Sequence, residues 1–323
     1  MNPYLDPQRV RAALRALDMR PTRGMGQNFL IDGQALSTIV EAAELTSDDL
    51  VIEVGPGLGV LTWELTRRAG LTVAVELDKR LAARLRDELP DAPLLIVQRD
   101  VLRAPPEELL ALAEDQGATT GNHPSAKARP AADDGDQPED QAGDDQPPVV
   151  DCPYKLVANL PYAITAPVLR HFLEARQPPE LSVLLVQWEV AQRITAAPGS
   201  LSVLAHSVQI YTEPEIVARV PAASFFPAPA VDSAVLRLRR RARLAVDVDN
   251  VDKLFRVIKA GFLQARKQLG NALPGGLAAM GAKLPRETTL AALETAGVDS
   301  TRRAETVTLA EWAEIYRALA AHL

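Results

Sequence analysis

Short, continuously apolar runs alternate along this chain with segments whose apolar residues recur every three or four positions. Leu50–Val54, Leu71–Val75, Leu94–Arg99, Tyr154–Ala158 and Leu181–Val186 are runs of the first kind. Their length and their glycine, proline or polar flanks predict buried strands. Between them, Leu61, Leu65 and Arg68 fall at helical spacing, as do Val168, Leu169 and Phe172, and Pro106–Glu114 reads as a short helix. Upstream, Asp32 is a suitable N-cap for a helix with Leu36, Ile39, Val40 and Ala43 on one face. This alternation predicts an α/β layer around a mostly parallel sheet. Further on, Glu189–Ile194 and Leu201–Val208 predict helices. Glu215–Val220 and a hairpin partner, Val235–Leu238, predict strands that close the sheet with an antiparallel edge. From Val251 the pattern is helical throughout. Leu254, Val257, Ile258 and Gly261 share a face, and a capping box, Thr308 to Glu311, opens a last helix holding Trp312, Ile315 and Leu319. The expected division is an α/β domain over residues 1–245 and a small all-α domain over 246–323.

One segment departs from this order. Residues 116–150 hold seven acids, two bases, five prolines and four glycines, with no aromatic residue. Such a stretch cannot bury enough surface to order itself, so a disordered acidic insert is expected at the sheet edge away from the strand tips. It also accounts for most of the net charge of −7. The rest of the chain is close to neutral, which leaves room for nucleic-acid binding through local basic clusters. Arg9, Arg11, Arg15, Arg20 and Arg23 form one such cluster, and Arg237, Arg239, Arg240, Arg241 and Arg243 another. A single cysteine, Cys152, excludes an internal disulfide and fits a reducing cytoplasm. There is no apolar run of eighteen residues, so no membrane partner is expected. His123, His171, His206 and His322 show no metal-ligand spacing, and no metal site is expected.

The candidate chemistry lies at the predicted strand ends. Gly55-Pro56-Gly57-Leu58-Gly59 follows the first strand, and glycines there let a ligand approach the backbone and meet helix N–H groups. Glu76 ends the next strand, 21 residues after Gly55, where an acid can accept hydrogen bonds from both ribose hydroxyls of a nucleoside cofactor. Asp100 follows the third strand; alone it reads as an N-cap, in the series as a functional residue. Asn159-Leu160-Pro161-Tyr162 follows the fourth. An amide oxygen, a carbonyl before a proline and a ring face are what a site needs to hold a planar, amino-bearing base. Phe225 and Phe226, in a Pro-rich loop, are candidates for a second stacking face.

With these residues assembled, the chain resembles the KsgA-type ribosomal RNA adenine N6-dimethyltransferases, the rRNA adenine dimethylase family, which use S-adenosylmethionine. The likeness rests on Gly26–Asp32 (GQNFLID), Val51–Gly59 (VIEVGPGLG), Val75–Asp78 (VELD) and Arg99–Val101 (RDV). It continues through Asn159–Tyr162 (NLPY), Val231–Leu238 (VDSAVLRL), Phe262–Leu273 (FLQARKQLGNAL) and Arg303–Leu309 (RAETVTL), nearly the whole length apart from the insert. The resemblance implies a Rossmann-like class I methyltransferase domain followed by a helical rRNA-binding domain. It implies that Asn28 and Leu30 contact the methionine end of the cofactor and that Gly55 and Gly57 form the turn beneath it. It further implies that Glu76 holds the ribose, Asp100 the adenine amine, and that Asn159 lies between cofactor and target. Asn159 and the Leu160 carbonyl would grip the target amine, while Tyr162 and Phe225, rather than Phe226, would sandwich the base. Arg239, Arg240, Arg241, Arg266 and Lys267 are the expected RNA contacts.

The implied substrate is two adjacent adenines near the 3′ end of small-subunit (16S) rRNA, in an immature 30S particle, acted on by a monomeric cytoplasmic enzyme. Departures from the family pattern are Ala163 after NLPY, the thinned Gln264-Ala265-Arg266-Lys267 with Gly270, and a shorter loop before Leu201. A large-subunit adenine methyltransferase of the macrolide-resistance type shares the cofactor motifs, but VDSAVLRL and ARKQLGNAL favour the small-subunit enzyme. A non-catalytic assembly or transcription factor of the same fold would retain cofactor binding without methylation. An NAD-dependent oxidoreductase is disfavoured, because nothing here resembles a hydride-site acid or base.

Overall fold

The computed structural model describes residues 2–19, 28–116 and 152–323. Asp6 caps a helix α1 (Pro7–Ala16) by accepting from the Gln8 N–H, and the chain later forms the two-residue strand β1 (Phe29–Leu30). As expected, Asp32 caps α2 (Gly33–Ala42), accepting from the N–H groups of Gln34 and Ala35. Strands and helices then alternate: β2 (Leu50–Val54), α3 (Thr62–Leu65), β3 (Leu71–Glu76), α4 (Lys79–Glu88), β4 (Leu94–Gln98) and α5 (Pro106–Asp115). After the insert come β5 (Tyr154–Asn159), α6 (Thr165–Leu173), β6 (Leu181–Gln187), α7 (Trp188–Ile194) and α8 (Val203–Gln209). They are followed by β7 (Thr212–Val220), β8 (Phe225–Phe226), β9 (Ser233–Arg240), and α9 (Val251–Phe262), α10 (Leu269–Ala279), α11 (Arg286–Thr295) and α12 (Leu309–Leu319). The expected acidic insert lies, but for Gln116, outside the described residues, as do Arg20, Arg23, Gly26 and Gln27.

The main sheet has the order β4-β3-β2-β5-β6-β9-β7, parallel from β4 to β6 and antiparallel across β9 and β7. β2 is buried at all five positions because helices cover both faces of the sheet. On one face Ile52, Val75, Leu156 and Leu184 meet Leu109, Leu110, Leu169 and Phe172; on the other Val51, Val157 and Val183 meet Leu36, Ile39 and Leu65. Class I methyltransferases are built on such a sheet, with β4 to β6 ending at one common edge.

Two expectations need correction, the helix after β2 and the loop placing of Phe225 and Phe226; the antiparallel edge is as expected, with β9 between β6 and β7 and β7 outermost. The burial explains this: Ser233–Leu236 are all buried, whereas β7 alternates exposed and half-buried residues and carries Pro214, which an edge strand tolerates. The helix after β2 is a single turn. It tightens into a bond from the Arg68 N–H to the Leu65 carbonyl, because Gly70 must lie flush on the Ser47 carbonyl before β3 begins. Finally, Phe225 and Phe226 are not loop residues but the strand β8, antiparallel to β1, with Phe29 opposite Phe226 and Leu30 opposite Phe225.

The last four helices pack around Leu254, Ile258, Leu273, Leu293, Trp312 and Tyr316, a core that Ile210 after α8 also enters. The Trp312 ring rests on Gly261, where an added Cβ would lie 2.4 Å from the indole. Thr308 and Glu311 form the expected capping box of α12. Among the described residues no helix is long and apolar enough to cross a membrane.

Candidate active site

The ends of β2, β3 and β5 converge on one edge of the sheet, and the backbone between them is shaped by glycine. Gly55, Gly57 and Gly59 all take positive φ (66°, 59° and 87°), which glycine reaches without strain. Gly57 is the informative one. Its N–H donates to Glu76 Oε2 at 3.1 Å, and a Cβ on it would sit 3.3 Å from the Phe29 ring. Glu76 Oε1 accepts from the Asp78 N–H at 2.9 Å, so the carboxylate is oriented by backbone on both oxygens. Each oxygen keeps a further lone pair for ligand hydroxyls. Burial holds the Glu76 carboxyl above its ordinary pKa, against the pull of these N–H groups. Leu77, between Glu76 and Asp78, is 69% exposed, an apolar face beside the ribose acceptor. Backbone cradle, buried acid and apolar shelf fit S-adenosylmethionine, the cofactor implied above.

β5 delivers the second half of the site. Asn159 Nδ2 donates to the Asn28 carbonyl at 3.2 Å, which joins the NLPY strand tip to the residue before β1. The Asn159 Oδ1 makes no hydrogen bond among the described residues and remains an acceptor. Leu160 spends its N–H on the Leu185 carbonyl at 3.2 Å, and Pro161 packs 3.8 Å from the Cβ position of Gly55. Tyr162 is half-buried, and its phenol lies 2.7 Å from Ser233 Oγ. The structure thus brings Asn28, Gly55, Gly57, Glu76, Asn159, Leu160 and Tyr162 together.

The remaining candidates behave differently. Asp100 caps the turn Val101–Arg103, accepting from the Leu102 N–H at 3.0 Å, and keeps its second oxygen beside the exposed Arg103. Leu30 and Phe225 are 1% and 3% exposed, so both side chains belong to the core under α2. Phe225 as an open stacking face is therefore corrected: its ring is covered here. Phe226 is half-buried, with the Arg11 guanidinium 4.8 Å from its ring centre. Arg239, Arg240 and Arg241 lie at the far edge of the sheet from Asn159, since Arg239 pairs with Leu181 at the start of β6. Their charges are engaged there: Arg239 with Glu44, Arg240 with the Pro178 carbonyl, and Arg241 with Glu213 and the carbonyls of Gln209 and Thr212. Arg266 and Lys267 are exposed in the turn between α9 and α10.

Three groups at the site escaped the sequence reading. Glu53 is 1% exposed in β2, its Oε2 without a partner among the described residues. Burial, reinforced by the nearby Glu76 charge, pushes its carboxyl up to about 8. An acid inside an otherwise apolar run was its only signal. Ser233, which meets Tyr162, had only its place in the VDSAVLRL motif as a signal, and Ser224, whose hydroxyl donates to Asp32 at 2.6 Å, left none.

A family model described as "Ribosomal RNA adenine dimethylase" matches residues 21–321. "Ribosomal RNA small subunit methyltransferase A" of Dehalococcoides mccartyi (strain ATCC BAA-2266 / KCTC 15142 / 195) is 38% identical, covering 94% of this chain and 90% of that protein. The protein of the same name from Moorella thermoacetica (strain ATCC 39073 / JCM 9320) is 38% identical over 99% of each. Among solved structures, the 23S rRNA methyltransferase ErmE superposes with a TM-score of 0.61 at 29% identity, covering 91% of this chain and 100% of that one. With its cofactor cradle and NLPY strand tip in register on one sheet edge, the chain belongs to the ribosomal RNA adenine dimethylase family.

Proposed function

We propose that this protein transfers methyl groups from S-adenosylmethionine to N6 of two adjacent adenines near the 3′ end of small-subunit rRNA, late in assembly of the particle. The observation that carries this reading is the Asn159–Asn28 hydrogen bond, which commits the amide nitrogen and leaves its oxygen as an acceptor beside the glycine cradle. The bound cofactor supplies an electrophilic sulfonium methyl. The chain's own groups do the rest.

An adenine N6 lone pair is delocalised into its ring and is a poor nucleophile. Hydrogen bonds from N6–H to Asn159 Oδ1 and the Leu160 carbonyl favour a pyramidal nitrogen and localise that pair. Holding it in line with the methyl group contributes most of the remaining acceleration. Extruding the base costs a few kcal/mol. Stacking on Tyr162 returns about 1–3 kcal/mol, and the strand carrying Phe225 bounds the other side of the slot. Asn28 and Leu30 flank the methionine end, Gly55 and Gly57 lie beneath it, Glu76 takes the ribose and Asp100 the adenine amine.

We assign residues 1–245 to the methyltransferase domain and 246–323 to an rRNA-binding domain, supported by a core built mainly from α9–α12. Arg266 and Lys267, exposed in the α9–α10 turn, are placed to meet phosphates. Arg239, Arg240 and Arg241 contribute only by exchanging intramolecular partners for RNA. The protein acts as a cytoplasmic monomer on the immature particle. A labelled-methyl assay on unmethylated small subunits, followed by mass spectrometry of the nucleotide, tests the reading. Dimethyladenosine in small-subunit rRNA is the expected product. Transfer only to large-subunit rRNA supports the macrolide-resistance type, and cofactor binding without transfer supports an assembly factor.

A further inference from the structure

The triplet Val231-Asp232-Ser233 belongs to the family pattern, yet the chemistry above leaves it without a task. We infer that Ser233 is a positioning residue for the target base, holding the Tyr162 ring at the angle and height that stacking requires. This rests on the reading of Tyr162 as a stacking face.

Ser233 is the first residue of β9 and is 0% exposed. It is paired with Gln187 of β6 on one side and Val220 of β7 on the other, so its backbone cannot slide. The pairing with Gln187 puts it at the same sheet edge as Asn159. From there its hydroxyl meets the far end of the Tyr162 ring, Oγ to Oη at 2.7 Å. A bond at the tip of a ring restrains both side-chain torsions, whereas packing along one face leaves the ring free to swing. Burial raises the Tyr162 phenol above its ordinary pKa, so the hydroxyl stays protonated and the bond persists through neutral pH.

The neighbouring residue extends the same brace. The Asp232 carbonyl accepts from the Trp188 N–H at 3.0 Å, and its carboxylate accepts from the Ala222 N–H and Arg219 Nε, each at 2.9 Å. Ala222 opens the turn Ala222–Ser224 that leads into Phe225. One strand start thus fixes both limbs of the slot: the Tyr162 ring through Ser233, and the segment carrying Phe225 through Asp232.

The test is a double-mutant cycle in the full chain, with kcat and KM on unmethylated small subunits, cofactor Kd by calorimetry, and melting temperature as the folding control. Ser233→Ala and Tyr162→Phe should each lower kcat/KM by about tenfold, the worth of one lost hydrogen bond, with cofactor Kd unchanged. The double variant should lose no more than the weaker single, because both remove one bond. Tyr162→Phe breaks that bond without touching β9, so the inference is tested even where Ser233→Ala folds poorly. Wild-type kcat/KM in Tyr162→Phe, losses that multiply in the double variant, or a matching loss of cofactor affinity would each overturn it. Wild-type turnover in Tyr162→Ala would instead remove the stacking role itself.

Discussion

The Asp32 carboxylate accepts the Ser224 hydroxyl at 2.6 Å across 192 residues of sequence, while its other oxygen caps α2. The bond ties the segment before α2 to the turn before β8, beside the β1–β8 pairing and the bond from the Ile31 N–H to the Ser224 carbonyl. The cofactor-side arm and the target-side strand therefore move as one piece. Asp32→Ala removes the helix cap and the tie together and should cost about 1–3 kcal/mol, read as a lower denaturant midpoint. Ser224→Ala keeps the cap and should cost less. Equal losses would mean that the cap contributes nothing.

The Ser224 bond, with the Ala35 and Gln34 N–H groups, holds the Asp32 carboxyl below its ordinary value against the opposing effect of burial. A lowered folded pKa stabilises above the unfolded value and is lost as pH falls through the folded one. Glu311 behaves alike and more strongly, drawn to about 2 chiefly by Arg302, with the Thr308 groups assisting. Its contribution is complete above an unfolded value of about 4.3 and disappears toward pH 2. Stability of Glu311→Gln, followed by urea unfolding across that window, should fall less steeply with acid than the wild type. Parallel curves would show that the Arg302–Glu311 pair is electrostatically idle.

Glu53 has the opposite sign. Its carboxyl titrates near 8 in the fold because burial disfavours the charge, and near about 4.3 in the unfolded chain. A raised folded pKa stabilises fully below the unfolded value, and that stabilisation is lost as pH rises toward 8. Glu53→Gln keeps the shape and cannot ionise. Its melting temperature should stay flatter than wild type between pH of about 5 and 8, overtaking it at the alkaline end. A wild type already flat over that range would mean that Glu53 carries its charge inside the sheet.

Why some of this was legible in sequence, and some not, follows from the same residues. β2, β3, β5 and β6 announced themselves because strands covered on both faces are mostly apolar, with single polar residues such as Glu53 and Lys155 too few to break the pattern. The order of β9 and β7 is decided by which strand can bear exposure, and Pro214 was the only local hint. β1 and β8 are two residues each, too short for any periodicity, so the burial of the Leu30 and Phe225 side chains could not be read from the sequence. Asn159 and Glu76 were readable because a polar group must follow an apolar strand to meet a ligand. Ser233 was not, because its partner is 71 residues away and nothing in a serine's neighbours reports what its hydroxyl touches.

Asn159 and Tyr162 should separate in their kinetics. Tyr162→Ala removes a stacking face worth about 1–3 kcal/mol, so RNA KM rises and turnover drops while cofactor Kd stays nearly constant. Asn159→Ala removes an N6 acceptor and the bond to the Asn28 carbonyl, so turnover should fall at least a hundredfold with RNA affinity little changed, the cost expected of one transition-state hydrogen-bonding group in a dry site. Filter binding and single-turnover methyl transfer on the same small subunits distinguish the two. Near-normal transfer by Asn159→Ala would remove the proposed activating group.

Gly57 offers the sharpest test of the cradle. At φ 59° an L-residue is strained by about 1–2 kcal/mol, and its Cβ would press on the Phe29 ring at 3.3 Å. Phe29 follows Asn28 directly, so a ring displaced by Gly57→Ala pulls on the carbonyl that orients Asn159. The same substitution disturbs the N–H that Glu76 receives. Cofactor affinity should therefore fall by about tenfold, the worth of the lost bond that orients the Glu76 carboxylate. Turnover at saturating cofactor should fall as well, because the displacement reaches Asn159. A Gly57→Ala enzyme that binds cofactor weakly but turns over normally when saturated would show that cradle and target amide are independent, and the coupling through Asn28 would be lost.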